Sequence, residues 1–223
     1  MKAKFFLLVL TVLFFTGIHQ ANAQYLKDAL GRQIILAPYE NVEGDAYLFK
    51  DWQAADVKLN TGDVYKNVQL KYDQLKETLY FKGDKNEEVM TFTVPVREFT
   101  INGTADTPPL HYRNGYHAIP GVAANAYFEV LADGTTQLLK RTAKNIQEEK
   151  GYGEAAVTKK IVSTVKYYLV LSDKTIQIKN DKKSLLAPLS NKHPEIEKYI
   201  QDNHLNLKND TDLGKVVTYY NSI

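Results

Sequence analysis

Tyr112, Arg113, Tyr116 and His117 stand close together in a stretch, Asn102 to Gly121, rich in Gly and Pro. Two ring faces beside a permanently charged guanidinium and an imidazole that titrates near neutrality can grip a polar ligand, the rings by stacking and the cation by pairing with oxygens. They form the candidate binding group. No nucleophile motif accompanies them. Cys is absent, and Ser163, Ser172, Ser184, Ser190 and Ser222 stand in neither a G-x-S-x-G elbow nor an S-x-x-K arrangement, so no catalytic residue is assigned.

Metal chemistry finds equally little support. His111 and His117 share that stretch with Asp106, but no H-x-x-x-H or H-E-x-x-H spacing occurs anywhere. Asp210-x-Asp212 with Gly214 resembles the opening of a calcium loop. Its Gly falls one position early and Asn221 occupies the place of the bidentate Glu, so helix capping accounts for it better. Gly151-Tyr-Gly153 lacks the third Gly and the Lys-Ser/Thr of a phosphate cradle. No metal and no cofactor is expected. Paired carboxylates for glycosidic cleavage stay open, because 26 Asp and Glu allow many combinations and their separation is a tertiary property.

The chain opens with a leader. Met1-Lys-Ala-Lys4 is a short positive segment, Phe5 to Phe15 is an apolar run, and Ala21-Asn22-Ala23 offers small residues to a signal peptidase, with cleavage expected after Ala23. A membrane span needs about 20 apolar residues, and His19 and Gln20 interrupt before that. Export is the expectation, to the periplasm or beyond, with no transmembrane segment in the mature chain. Loss of Lys2 and Lys4 leaves 26 basic against 26 acidic residues. A chain so balanced offers no counterion-releasing surface by composition, so nucleic acid is not an expected partner. Without Cys, an exported protein must rely on packing and hydrogen bonds.

Positioning falls to β-strands. Ile34 to Ile101 alternates with period two, and Asn60-Thr-Gly-Asp63 and Gly83-Asp-Lys-Asn86 separate its strands as turns. Residues 24–102 read as an N-terminal β-meander and residues 103–121 as a long loop or linker. Residues 122–181 form a second antiparallel block, opened by Ala126-Tyr-Phe-Glu-Val-Leu131 and a two-residue Asp133-Gly134 turn leading into Thr135 to Thr142. Tyr65, Tyr72, Tyr80, Tyr167 and Tyr168 read as core or cross-strand partners. From residue 182 the period becomes 3.6: Ser184 can cap a helix over Leu185, Leu186 and Leu189. Pro194 fits the first turn of a second, carrying Ile196, Tyr199 and Ile200, and Asp210 can cap a third, carrying Leu213, Val216, Val217 and Tyr220. Such narrow apolar stripes must lie on a sheet face. The fold class is mainly β (α+β): antiparallel sheets in two sequential blocks, with two or three short C-terminal helices packed on a sheet face.

The leader, the run Trp52 to Tyr72, the Tyr127 to Gly134 hairpin leading into Leu138-Leu-Lys140, and the ending Ile200 to Asn221 together resemble uncharacterised secreted β-rich proteins of Bacteroidota. That resemblance implies a bacterial exported protein and carries no functional residue with it. The functional expectation is a non-catalytic envelope or secreted binding protein, its partner an envelope polymer, a protein or an apolar ligand. The alternatives are a half-barrel carrier of an apolar ligand and a glycoside hydrolase.

Overall fold

The computed structural model describes residues 31–37, 39–83, 88–117, 119–150, 157–172 and 174–223; the leader Met1 to Ala23 lies outside them. Among the described residues twelve strands form one mixed sheet. In chain order they are β1 (Gly31–Ile34), β2 (Val42–Glu43), β3 (Gln53–Leu59), β4 (Val64–Asp73), β5 (Thr78–Lys82), β6 (Val89–Phe92), β7 (Val96–Ile101), β8 (Leu110–Arg113), β9 (Phe128–Ala132), β10 (Gln137–Glu149), β11 (Thr158–Val170) and β12 (Thr175–Ile178). Across the sheet the order is β1-β6-β5-β4-β3-β7-β8-β9-β10-β11-β12, with β2 added in parallel to β11 and every other pairing antiparallel.

Apart from β2, which pairs with the late strand β11, the early and late strands each stay together, but they do not make separate sheets. β8 lies inside the stretch expected to be a loop, pairs with β7 on one edge and β9 on the other, and joins the halves. Four residues between Pro108-Pro109 and Asn114-Gly115 are too few for alternation to stand out in the sequence. The core is accordingly divided. Leu70, Phe81, Phe99, Tyr112 and Tyr127 anchor a cluster on the meander, where Tyr72 makes edge-to-face contacts with Phe99 and Tyr127.

The helices cover the second half. They are α1 (Lys182–Leu186), a 3₁₀ segment (Ala187–Lys192), α2 (His193–Asp202) and α3 (Asp210–Ser222). Leu185, Leu186, Leu189, Ile196, Ile200, Leu213, Val216 and Val217 bury against Leu138, Leu169 and Ile178. Each such side chain stabilises by about 1.5–3 kcal/mol. On the reverse face Phe128, Leu139 and Tyr168 are covered by Tyr116, Ile119 and Val122. No helix among the described residues is long and apolar enough to cross a membrane.

Three local expectations change. Asp181, not Ser184, caps α1 by accepting from the Ser184 N–H, while the Ser184 hydroxyl accepts from the Lys179 N–H. Asn209, not Asp210, caps α3 by accepting from the N–H groups of Thr211 and Asp212, which releases the Asp210 carboxylate for other partners. The β9–β10 connection spans Asp133 to Thr136 rather than two residues, and a register shift at Leu138/Leu139 follows it. Asn221 of α3 closes this turn, accepting from the Thr136 N–H and donating to its carbonyl.

Candidate functional site

The structure divides Tyr112, Arg113, Tyr116 and His117: Arg113 interacts with Tyr116 and His117 borders the same cavity as Tyr116, whereas Tyr112 lies apart. Tyr112 and Arg113 are consecutive on β8, so their side chains leave opposite faces of the sheet. Tyr112 is buried and stacks on Phe99 at 4.9 Å between ring centroids. Burial, with the Glu129 charge added, holds its hydroxyl firmly in the neutral form. Arg113 is committed to the protein: its Nε donates to Glu98 (2.8 Å), and Nη1 and Nη2 donate to Asp133 (3.3 and 3.0 Å). Tyr116 meets Phe128 edge-on, and burial pushes its hydroxyl up to about 12. His117 is exposed beside a cavity of about 150 Å³ shared with Tyr116 and Ile119.

His111, beside this group, is bonded on both ring nitrogens. Arg113 Nη2 lies 3.2 Å from Nε2 and Thr100 Oγ1 lies 2.9 Å from Nδ1. A guanidinium can only donate, so in the neutral ring Nε2 accepts from Arg113, with Glu98 Oε2 also 3.5 Å from that nitrogen. Burial and the Arg113 charge both lower its pKa, which favours that neutral form.

A larger opening lies on the helical face. A groove of about 580 Å³ runs between Pro108, Pro109 and Leu110 on one side and Tyr199, Asp210 and Tyr219 on the other, over Glu129 and Leu131. α3 reaches close enough to form it because Gly214 faces β9; a Cβ there would sit 2.7 Å from the Leu131 carbonyl oxygen. Tyr199 of α2 and Tyr219 of α3 stack in parallel at 4.0 Å and 6°.

The floor is a ladder of polar groups. Register places Tyr112, Glu129, Lys140 and Tyr167 opposite one another on four successive strands, so all four share one face. Lys140 Nζ lies 2.7 Å from Asp210 and 3.4 Å from Glu129, and the Tyr167 hydroxyl donates to Asp210 at 2.7 Å. Burial alone would lower the Lys140 pKa, but Asp210 and Glu129 outweigh it and raise it. Burial and the bond to Asp210 push Tyr167 up to about 12. Lys140 therefore holds two carboxylates at the base of α3, with fixed hydrogen-bond acceptors beside an aromatic platform.

Sequence reasoning missed these residues for identifiable reasons. A two-residue Asp133-Gly134 turn sets Glu129 opposite Leu138, whereas the longer turn and the register shift set it opposite Lys140. Tyr199 reads as part of a helical stripe, and Tyr219 falls off the stripe of α3. Their convergence depends on how α2 packs on α3. Among the described residues no three His, Asp or Glu side chains are placed to hold a metal ion. In the comparisons with known proteins, no family model, curated protein or solved structure matches the chain.

Proposed function

We propose that the protein is an exported, non-catalytic binding protein whose helical-face groove takes a glycan segment of an envelope or extracellular polymer. The supporting observation is the Tyr199–Tyr219 stack at the edge of an open groove floored by Glu129 and Asp210. Aromatic faces meet the apolar faces of sugar rings, and anchored carboxylates accept from sugar hydroxyls. Thr211, Thr218 and Ser222 add hydroxyls along α3. The leader and the resemblance to secreted Bacteroidota proteins support export, which places the groove among such polymers. The helical-face groove with Glu129 and Asp210, and a cleft with Glu77, Arg141 and Lys166, both carry charged side chains, which favours this reading over a carrier of apolar ligand.

A glycoside hydrolase is the second reading, favoured by one distance. Glu129 and Asp210 both contact Lys140 Nζ, so the contacting oxygens lie within roughly 6 Å of each other. The ammonium between them weighs against it, since a general acid needs surroundings that disfavour its anion. Affinity electrophoresis and calorimetry of the chain from Gln24 onward, against a panel of soluble neutral polysaccharides, test the proposal. Retardation by at least one polysaccharide, with affinity at least about tenfold lower in Tyr199→Ala and Tyr219→Ala, is expected. No retardation across the panel overturns it, and release of reducing ends abolished by Glu129→Gln replaces it with the enzyme.

A further inference from the structure

Arg141 and Lys166 stand directly opposite one another on β10 and β11, so two cations share one face as cross-strand neighbours, an arrangement destabilising by itself. Glu77, in the β4–β5 turn, supplies one carboxylate. Arg141 Nη2 donates to its Oε1 at 2.5 Å, and the buried Tyr72 hydroxyl donates to its Oε2. Glu77 adopts φ +51°, a left-handed conformation that a non-glycine residue holds only when its surroundings demand it, and the Asn125 amide secures its carbonyl at 3.2 Å.

That single carboxylate is matched by Arg141, leaving charge over. The Arg141 side chain is only 12% exposed and its buried Nε lacks a hydrogen-bond partner among the described residues. Lys144 is held by carbonyl dipoles, donating to Asp45 O and Tyr47 O at 2.8 and 2.5 Å. Glu77, Arg141, Lys144 and Lys166 border a cleft of about 360 Å³, but Lys144 leaves β10 on the face opposite Arg141 and lies beside the Asp45 and Asp73 charges, so Arg141 and Lys166 against Glu77 set the charge of the cleft. Ala143, between Arg141 and Asn145, leaves room on the cleft face, and Asn145 and Thr164 add an amide and a hydroxyl there.

We propose that this cleft is a binding site for an oxyanion, the carboxylate or phosphate ester of a ligand, seated between Lys166 and Arg141 with Thr164 and Asn145 as further donors. The one cation left over by Arg141 and Lys166 against Glu77, in a partly enclosed cleft, favours an anion, and Glu77 fixes the guanidinium so that little ordering remains on binding. The site lies on other residues than the glycan groove and does not depend on it.

Titration of the isotope-labelled chain from Gln24 onward with sodium phosphate and with sodium glucuronate, at constant ionic strength and with glucose as neutral control, tests it by amide chemical shifts. Saturable shifts are expected around residues 121–123, 141–145 and 164–166 for at least one anion and none for glucose. The tighter anion distinguishes phosphate ester from carboxylate. Lys166→Gln should weaken binding roughly five- to tenfold, while Lys183→Gln on α1 and Tyr199→Ala leave it unchanged. The double variant Arg141→Met with Glu77→Gln removes both partners together, keeps the fold's circular dichroism and loses binding. Absence of saturable shifts with both anions, or wild-type affinity in Lys166→Gln or in the folded double variant, overturns the proposal.

Discussion

Arg113 shows how a residue suited to ligand binding can be absorbed by its own fold. Its guanidinium spans Glu98 and Asp133, and the shifts of those carboxyls record the contact. Burial raises both, but hydrogen bonds and charge from Arg113, joined by Lys58 at Glu98 and the Gly134 N–H at Asp133, outweigh burial and hold both below their usual values of 4.5 and 3.8. A carboxyl whose pKa falls on folding stabilises the native state above its unfolded pKa and loses that stabilisation as pH falls through the folded value. His111, whose pKa also falls on folding, withdraws stability in the same direction below its usual 6.5. Urea midpoints should therefore drop between about pH 5 and pH 3 in the wild type and drop less in Arg113→Gln. At neutral pH that variant should be less stable by about 2 kcal/mol, because Glu98 and Asp133 lose their shared cation.

Gly214 ties α3 to β9, and a substitution there separates helix propensity from packing. Ala is the better helix former by about 1 kcal/mol, so an isolated α3 would gain from Gly214→Ala. In the protein the new methyl meets the Leu131 carbonyl oxygen at 2.7 Å, closer than such contacts allow, and that oxygen belongs to strand backbone rather than to a flexible side chain. Packing should win: thermal denaturation of Gly214→Ala should show a net loss of about 1–3 kcal/mol, with the groove displaced. Periodicity placed Leu213, Val216 and Val217 on the buried face of α3. The close approach at Gly214 follows from the partner strand, which no helical pattern encodes.

One sheet with two apolar clusters makes the tail part of the core. Truncation after Asn209 removes Leu213, Val216 and Val217 from the second cluster and Asn221 from the β9–β10 turn. Three buried apolar side chains are worth about 1.5–3 kcal/mol each, comparable with the 5–15 kcal/mol of a whole domain. The truncated chain should lose its cooperative thermal transition and bind hydrophobic dye, which differential scanning calorimetry and dye fluorescence measure. Retention of the wild-type melting temperature would show that the sheet stands without its cover.

Alternation with period two and stripes at 3.6 residues were enough to place most strands, the change to helices near residue 182 and the buried stripes of the helices, because each is a local consequence of which face of one element must leave water. Tyr72, Tyr80 and Tyr168 are buried on strands as that pattern implies. β8 escaped it, being short and bounded by proline and glycine. Its pairing with β7 and β9 merged two expected sheets into one and turned Tyr112 and Arg113 to opposite faces. The groove, the Glu129–Lys140–Asp210 network and the cationic cleft join residues far apart in the chain. Register, turn length and helix packing set such neighbours, and these depend on contacts between elements that side-chain order within one element does not carry.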